Sequence, residues 1–447
     1  MPISLRDSVQ RYLQKTLALM RSGKSEKALE TLIKAEDAAV KAKEEDLFLY
    51  VQTVKGHLMQ NLGEYEEALK IHFLTIKIAD ELFSKDHCEE IYLPILQMNL
   101  KYTFELGNIF YNMGRFLEAK SCYEMNLIVL YKLLKTYPEN SKYQSYTAGT
   151  FNNLGTLLAD MGRIEEAKNA QEKSLLIYEK LFSTDPENIE QQSHIAMTLN
   201  NLGVLLSKMD LLEEAKQRYV KALEMRERLL EIDPKNTSYQ SDIAMTLNNL
   251  GNLLSNMGYF EDAKQSHEKA LEFREKLLKA NPKNIEFQSA VAMTYNNLGI
   301  LLYDVGRFEE SKQRYEKSYK IFENILKKDP RNVLYQSRVA MTLNNLGLLL
   351  SKIGRLDDAK QKFEKSLEMR EKLLESDSEN LEYQLEVETT LNNLGNMFFE
   401  IGQKKEAKEN FEKALKIMES LSKKNLENKK LNEELDYMRG RLNELGN

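Results

Sequence analysis

Six pairs of asparagines are the residues of this chain best suited to recognition chemistry: Asn152-Asn153, Asn200-Asn201, Asn248-Asn249, Asn296-Asn297, Asn344-Asn345 and Asn392-Asn393. Leu-Gly follows each pair, and the glycines fall at 155, 203, 251, 299, 347 and 395, a step of 48 residues. A carboxamide offers both a donor and an acceptor. It can therefore pair with a peptide main chain whatever the side chains are, and a row of them suits an extended peptide or a partner helix. Asparagine is less favourable than alanine inside a helix by some tenths of a kcal/mol, so two per helix in six helices need a reason. The architectural reason is that they bond to neighbouring repeats and hold the stack in register. One residue of each pair could serve each purpose.

The elements that position these pairs repeat with them. A fixed period of roughly 20 to 50 residues is the mark of a solenoid built from one supersecondary unit. Turns recur at Gly114, Gly162, Asp210, Gly258, Gly306, Gly354 and Gly402, and Asp210 tolerates left-handed backbone better than most residues. A second turn recurs as Tyr137-Pro138-Glu139-Asn140, Asp185-Pro186-Glu187-Asn188, Asp233-Pro234-Lys235-Asn236, Asn281-Pro282-Lys283-Asn284 and Asp329-Pro330-Arg331-Asn332, with Ser378 replacing proline later. Proline stops one helix and the asparagine caps the next.

Two helices of about 20 residues lie between these marks. Ile243, Leu247, Leu250, Leu254 and Met257 make one apolar stripe. Both asparagines lie off it. Phe260, Ala263, Ala270, Phe273 and Leu277 make the stripe of the second helix, with His267 in the gap.

Residues 1–85 read as two shorter units, 86–137 as a transitional one, 138–425 as six regular units and 426–447 as a capping helix. A small insertion around Lys85-Asp86-His87-Cys88 precedes Pro94, which is placed in a first helical turn, where proline is tolerated. The array ends at Asn425. Leu431, Leu435, Met438, Leu442 and Leu445 form the cap; their spacing also suits a dimer seam, but the segment is short for a coiled coil.

Leu199, Leu202-Gly203, Leu206, Ala215, Tyr219 and Pro234 follow a pattern that resembles the tetratricopeptide repeat. Ala359 and Phe363, and Ala407 and Phe411, repeat its second half. The resemblance covers about nine units and implies an all-α, right-handed superhelical solenoid of antiparallel helix pairs. The 48-residue unit exceeds the common 34. Its Leu-Asn-Asn-Leu-Gly word and Arg-Glu-Lys-Leu-Leu ending are similar to kinesin light chain repeats.

In such proteins the first helix of each unit lines the concave groove. The resemblance thus places Asn153, Asn201, Asn249, Asn297, Asn345 and Asn393 in a groove. Met197, Met245, Met293 and Met341 lie four residues earlier on the same side. Methionine makes adaptable surfaces, although packing between units explains it equally well. Lys208 and Lys352 flank this face beside Asp160, Asp304 and Glu400, giving mixed charge. Chaperone-binding members clamp a carboxylate with lysines, and Asn152, Asn200 and Asn248 stand in those places here. Gln14, Val54 and Glu105 replace the ladder asparagine in the first units, so the groove is expected to run from the fourth unit to the ninth.

Composition bounds the rest. Of 447 residues, 30% are charged and 42% apolar, and 63 Lys plus Arg against 69 Asp plus Glu leave a net charge of −6. That balance argues against a general nucleic-acid binder. Two cysteines, no signal-like apolar start and no apolar run of membrane length point to a cytoplasmic protein without a membrane span. His57, His72, His87, His194 and His267 are scattered, and His87-Cys88 lacks a second ligand pair, so no metal site, cofactor or catalytic residue is expected. The expected function is a monomeric, non-enzymatic scaffold that binds a protein or peptide segment. A regulator that responds to a peptide or metabolite, and a structural subunit of a larger assembly, are the alternatives.

Overall fold

The computed structural model describes residues 4–86, 89–424 and 429–446. His87-Cys88, Asn425 and the side chain of Leu431 lie outside the described residues. Nineteen helices, and no strand, occur among those described. They are α1 (Leu5–Arg21), α2 (Ser25–Ala42), α3 (Glu45–Leu62), α4 (Tyr65–Asp86), α5 (Glu89–Asn112), α6 (Phe116–Thr136), α7 (Ser141–Asp160), α8 (Ile164–Thr184), α9 (Ile189–Lys208) and α10 (Leu212–Ile232). There follow α11 (Thr237–Asn256), α12 (Phe260–Ala280), α13 (Ile285–Asp304), α14 (Phe308–Lys328), α15 (Val333–Lys352), α16 (Leu356–Ser376), α17 (Leu381–Glu400), α18 (Lys404–Lys424) and α19 (Lys429–Gly446). The fold is an all-α solenoid of packed helix pairs. It divides into two compact units, Met1–Met225 and Arg226–Asn447.

The local signals explain the boundaries. Asn188 Oδ1 accepts from Gln191 N at 3.0 Å and Asn284 Oδ1 from Phe287 N at 2.9 Å, so the asparagine after each proline turn caps the next helix. Gln144, Gln240, Gln288 and Gln336 each donate back to the carbonyl of the turn proline, at 2.6, 2.8, 2.6 and 2.7 Å. Between the helices of a pair the backbone turns left-handed; Asp210 does so with φ 61° where its counterparts are glycine. Pro94 departs from expectation. It is the sixth residue of α5, past the first turn, because that helix extends to 24 residues and begins earlier than the regular period suggests. Its missing N–H leaves one helical hydrogen bond unmade.

One contact recurs along the array: of the seven Leu-Gly glycines from Gly107 to Gly395, six face a buried ring and Gly155 faces Gln171. The glycine of the Leu-Gly word faces a large side chain of the following helix, and a Cβ there would sit 2.6 Å from Tyr219 at Gly203, 2.5 Å from Tyr315 at Gly299 and 2.7 Å from Phe363 at Gly347. The missing Cβ is what lets the two helices of a pair close on a buried ring. His267 occupies this ring position against Gly251 and is 1% exposed, so it belongs to the core. Phe260, expected in the same stripe, is 40% exposed at the helix start.

Burial drives the His267 imidazole down to about 4 from 6.5, with the Arg274 charge acting the same way. The folded protein thus holds the ring neutral, while the unfolded chain takes up a proton below 6.5. Stability from this site is complete above pH 6.5 and is lost as pH falls toward 4. His267→Phe, which keeps the ring and removes the titration, should be about 2 kcal/mol more stable than the parent at pH 5. Urea unfolding at pH 5 and pH 7.5 checks this; an equal difference at both values would refute it.

The last helix packs on the end of the second unit's helix pairs. Leu435 and Met438 are buried among Val387, Leu391, Ala414 and Met418, and Leu442 and Leu445 pack beside Phe398 and Phe411.

Candidate functional site

The asparagine pairs sit on the first helix of each pair, and these first helices also touch one another, α7 with α9 and α11, α13, α15 and α17 in succession. That contact separates the two asparagines. The first residue is buried in five of the six pairs: Asn152, Asn200, Asn248, Asn296 and Asn344 are between 1% and 9% exposed, while Asn392 in the last pair is half-buried. This corrects the expectation that both lie off the buried stripe. A helix packed against its partner and against the next first helix buries two stripes, and the first asparagine lies on the second one.

The second asparagine of each pair is half-buried, and Asn153, Asn201, Asn297, Asn345 and Asn393 each reach back one repeat. Asn201 Nδ2 donates to Asn152 Oδ1 at 3.2 Å, Asn297 to Asn248 at 3.1 Å, Asn345 to Asn296 at 3.0 Å and Asn393 to Asn344 at 3.1 Å. Asn153 finds its acceptor in Asn108 Oδ1 at 2.9 Å, which stands in where the earlier repeat has no pair. Each carboxamide has two donor hydrogens and an acceptor oxygen, and this bond uses one donor. At Asn201, Asn297, Asn345 and Asn393 the bond thereby orients the carboxamide, and it leaves one donor hydrogen and the oxygen outside it. Replacing Asn296 by alanine strips Asn345 of its acceptor inside the stack and should cost about 1–3 kcal/mol, read by urea unfolding.

Around this row, Met197, Met293 and Met341 are half-buried and Met245 is 37% exposed; Met293 also packs against the Ala292 and Phe322 cluster. The methionines therefore serve packing and surface together. Sequence reasoning missed a further row one turn earlier: Ser145, Ser193, Ser241, Ser289 and Ser337 share the 48-residue step. All lie at the surface in part, and Ser337 Oγ donates to Glu386 Oε1 at 3.1 Å. The recurring Gln-Ser dipeptide was the signal for them.

The flanking charges are modulated by burial. Tyr111 donates to Asp160 at 2.5 Å, and burial raises both the Tyr111 hydroxyl, to about 12, and the Asp304 carboxyl. Among the described residues no three His, Cys, Asp or Glu side chains gather to hold a metal ion, and no helix is long and apolar enough to cross a membrane.

The tetratricopeptide repeat profile matches residues 146–228, 194–276, 242–324, 290–372 and 338–420, each match displaced by one 48-residue unit. The chain belongs to the tetratricopeptide repeat family. No curated protein matches it in sequence. Among solved structures it is similar to the apo form of RapI, at 17% identity and a TM-score of 0.51 over 72% of this chain and 99% of that one. A Rap protein complexed with competence and sporulation factor shows 15% identity and a TM-score of 0.48 over 93% of this chain and 98% of the other. BtubC (BKLC) from P. vanneervenii shows 20% identity and a TM-score of 0.45 over 58% of this chain and 92% of that one. The RapI likeness concerns the fold alone. Membership of the repeat family supports a role in protein–protein interaction.

Proposed function

We propose that this tetratricopeptide repeat protein is an interaction scaffold that holds an extended protein segment along the second-row asparagines. The carrying observation is the inter-repeat bond, which fixes Asn297, Asn345 and Asn393 in one orientation at a constant step. Packed helices lie about 8–10 Å apart, and an extended chain advances about 3.3 Å per residue, so successive rungs match every third residue of a peptide. Asn249, Asn297, Asn345 and Asn393 give four rungs in the second unit; Asn153 and Asn201 belong to the first. Met245, Met293 and Met341 supply adaptable apolar contact beside them. Carboxamides read main chain, so affinity comes from backbone pairing and selectivity from whatever breaks the repeat.

The test is a display selection of random 12-residue peptides on the intact protein and on the variant Asn249→Ala, Asn297→Ala, Asn345→Ala, Asn393→Ala. Circular dichroism first establishes that the variant is folded. Peptides that bind the parent and lose the variant support the proposal. Peptides that bind both equally, or no selected peptides at all, overturn it.

A further inference from the structure

The repeat contains its own control, because a residue that departs from its 48-step counterparts stands out. Gly149 is such a departure. It occupies the place held by Met197, Met245, Met293 and Met341, one turn before Asn153. Without a side chain there, a cavity of about 350 Å³ opens in the first unit, lined by Lys101, Phe104, Glu105, Tyr146, Gly149, Tyr178, Glu190 and His194 among others. Phe104 likewise stands where later repeats carry the first asparagine.

Four rings therefore meet at one opening. Tyr178 is buried and stacks on His194, centroids 4.8 Å apart at 29°. Tyr146 is 44% exposed and already carries a cation on its ring, Lys142 Nζ at 5.6 Å from the centroid. Two carboxylates border the rings. Glu105 lies 3.8 Å from Lys101, and the charge of Glu190 reaches both Tyr178 and His194. His194 Nδ1 is buried without a hydrogen-bond partner among the described residues, and burial holds that imidazole below its usual value, so the ring is neutral at pH 7.5.

From this geometry we infer that the cavity is a subsite for one arginine side chain of a bound segment. A guanidinium is planar, stacks on aromatic faces and is less strongly hydrated than an ammonium. Its five donors can engage Glu190 and Glu105 while its plane lies on an aromatic face, which an ammonium or an aliphatic side chain cannot do together. The inference rests on the peptide-binding reading, since it makes the cavity the selective part of a groove whose asparagines read main chain.

The probe is the capped tripeptide Ac-Gly-Arg-Gly-NH2, titrated into the full-length protein at pH 7.5. The ring signals of histidine-labelled protein are followed by NMR, with His194 assigned through His194→Gln. Saturable movement of the His194 signal is expected, with about ten-fold weaker response to the lysine and leucine tripeptides. Gly149→Met, which restores the side chain of later repeats, should abolish it. The surface variants Tyr146→Ser and Glu190→Lys should do the same without touching the core, so the test survives a Gly149→Met that fails to fold. Equal response to the three tripeptides, or an arginine response that survives Tyr146→Ser and Glu190→Lys, overturns the subsite. The display selection reads the second unit's ladder separately, so either reading can fail without the other.

Discussion

Truncating Phe363 to alanine should destabilise the second unit by about 3–5 kcal/mol, the largest effect of any single apolar truncation expected here. The ring is fully buried and stands against Gly347, where even a Cβ would be 2.7 Å away. It joins Leu350 and Ala359 of its own pair to Leu394, Met397 and Phe411 of the next. Removing it therefore empties a space that two helix pairs share, and the backbone cannot collapse into it without shifting both. Because repeat stability is a sum of unit and nearest-neighbour terms, the loss should be local. Hydrogen exchange of α15 to α17 should accelerate while α1 to α4 stay unchanged. Uniform acceleration along the chain would refute this. Phe363→Tyr, which keeps the ring as Tyr315 and Tyr219 do in their units, should recover most of the loss.

Removing Arg370 should cost a similar amount, about 3–5 kcal/mol, for an electrostatic reason. Its guanidinium is 4% exposed. It donates to Glu386 O and to Thr390 Oγ1, both at 2.6 Å, and lies 3.9 Å from the Glu386 carboxylate, so it ties α16 to α17. Burial lowers the Arg370 value and raises the Glu386 carboxyl, and each partner's charge opposes that change in the other. Arg370→Ala leaves the half-buried Glu386 carboxylate with Ser337 but without its cation, and empties the space that the guanidinium fills beside Glu386 O and Thr390 Oγ1. Replacing both partners with apolar residues, Arg370→Met with Glu386→Leu, should restore most of the stability, because the uncompensated charge is gone. Urea unfolding of the two single variants and the double variant gives the coupling energy. Additive losses would show that the two side chains act independently.

The same geometry recurs with Arg226, which donates to Asp242 O at 2.6 Å and to Thr246, and with Arg274, which donates to Ala290 O at 2.9 Å. None of this was legible in the sequence. Arginine inside an Arg-Glu-Lys-Leu-Leu ending reads as part of a solvated face, and only the approach of the next helix reveals carbonyl and threonine acceptors. The fold itself was legible, because a fixed period, Leu-Gly against an aromatic residue, and proline–asparagine turns are local signals that agree at every step. Helix capping by Asn188 and Asn284, and the left-handed Asp210, followed directly from residue chemistry. His267 was half-read: its place in the apolar gap was visible, but its identity as the ring that meets Gly251 needed the packed pair. Both asparagines were read as lying off the apolar stripe, because a single helical wheel carries no information about a third helix. The contact between successive first helices separates them.

That separation is the central claim, and one measurement addresses it directly. Protein labelled with nitrogen-15 at asparagine side chains is titrated with a peptide from the display selection, and the carboxamide NH2 signals are followed. The expected result is that Asn249, Asn297, Asn345 and Asn393 shift on binding while the buried Asn248, Asn296 and Asn344 hold their positions. Saturable binding that leaves every second-row signal unmoved would contradict the account and return both rows to the architecture.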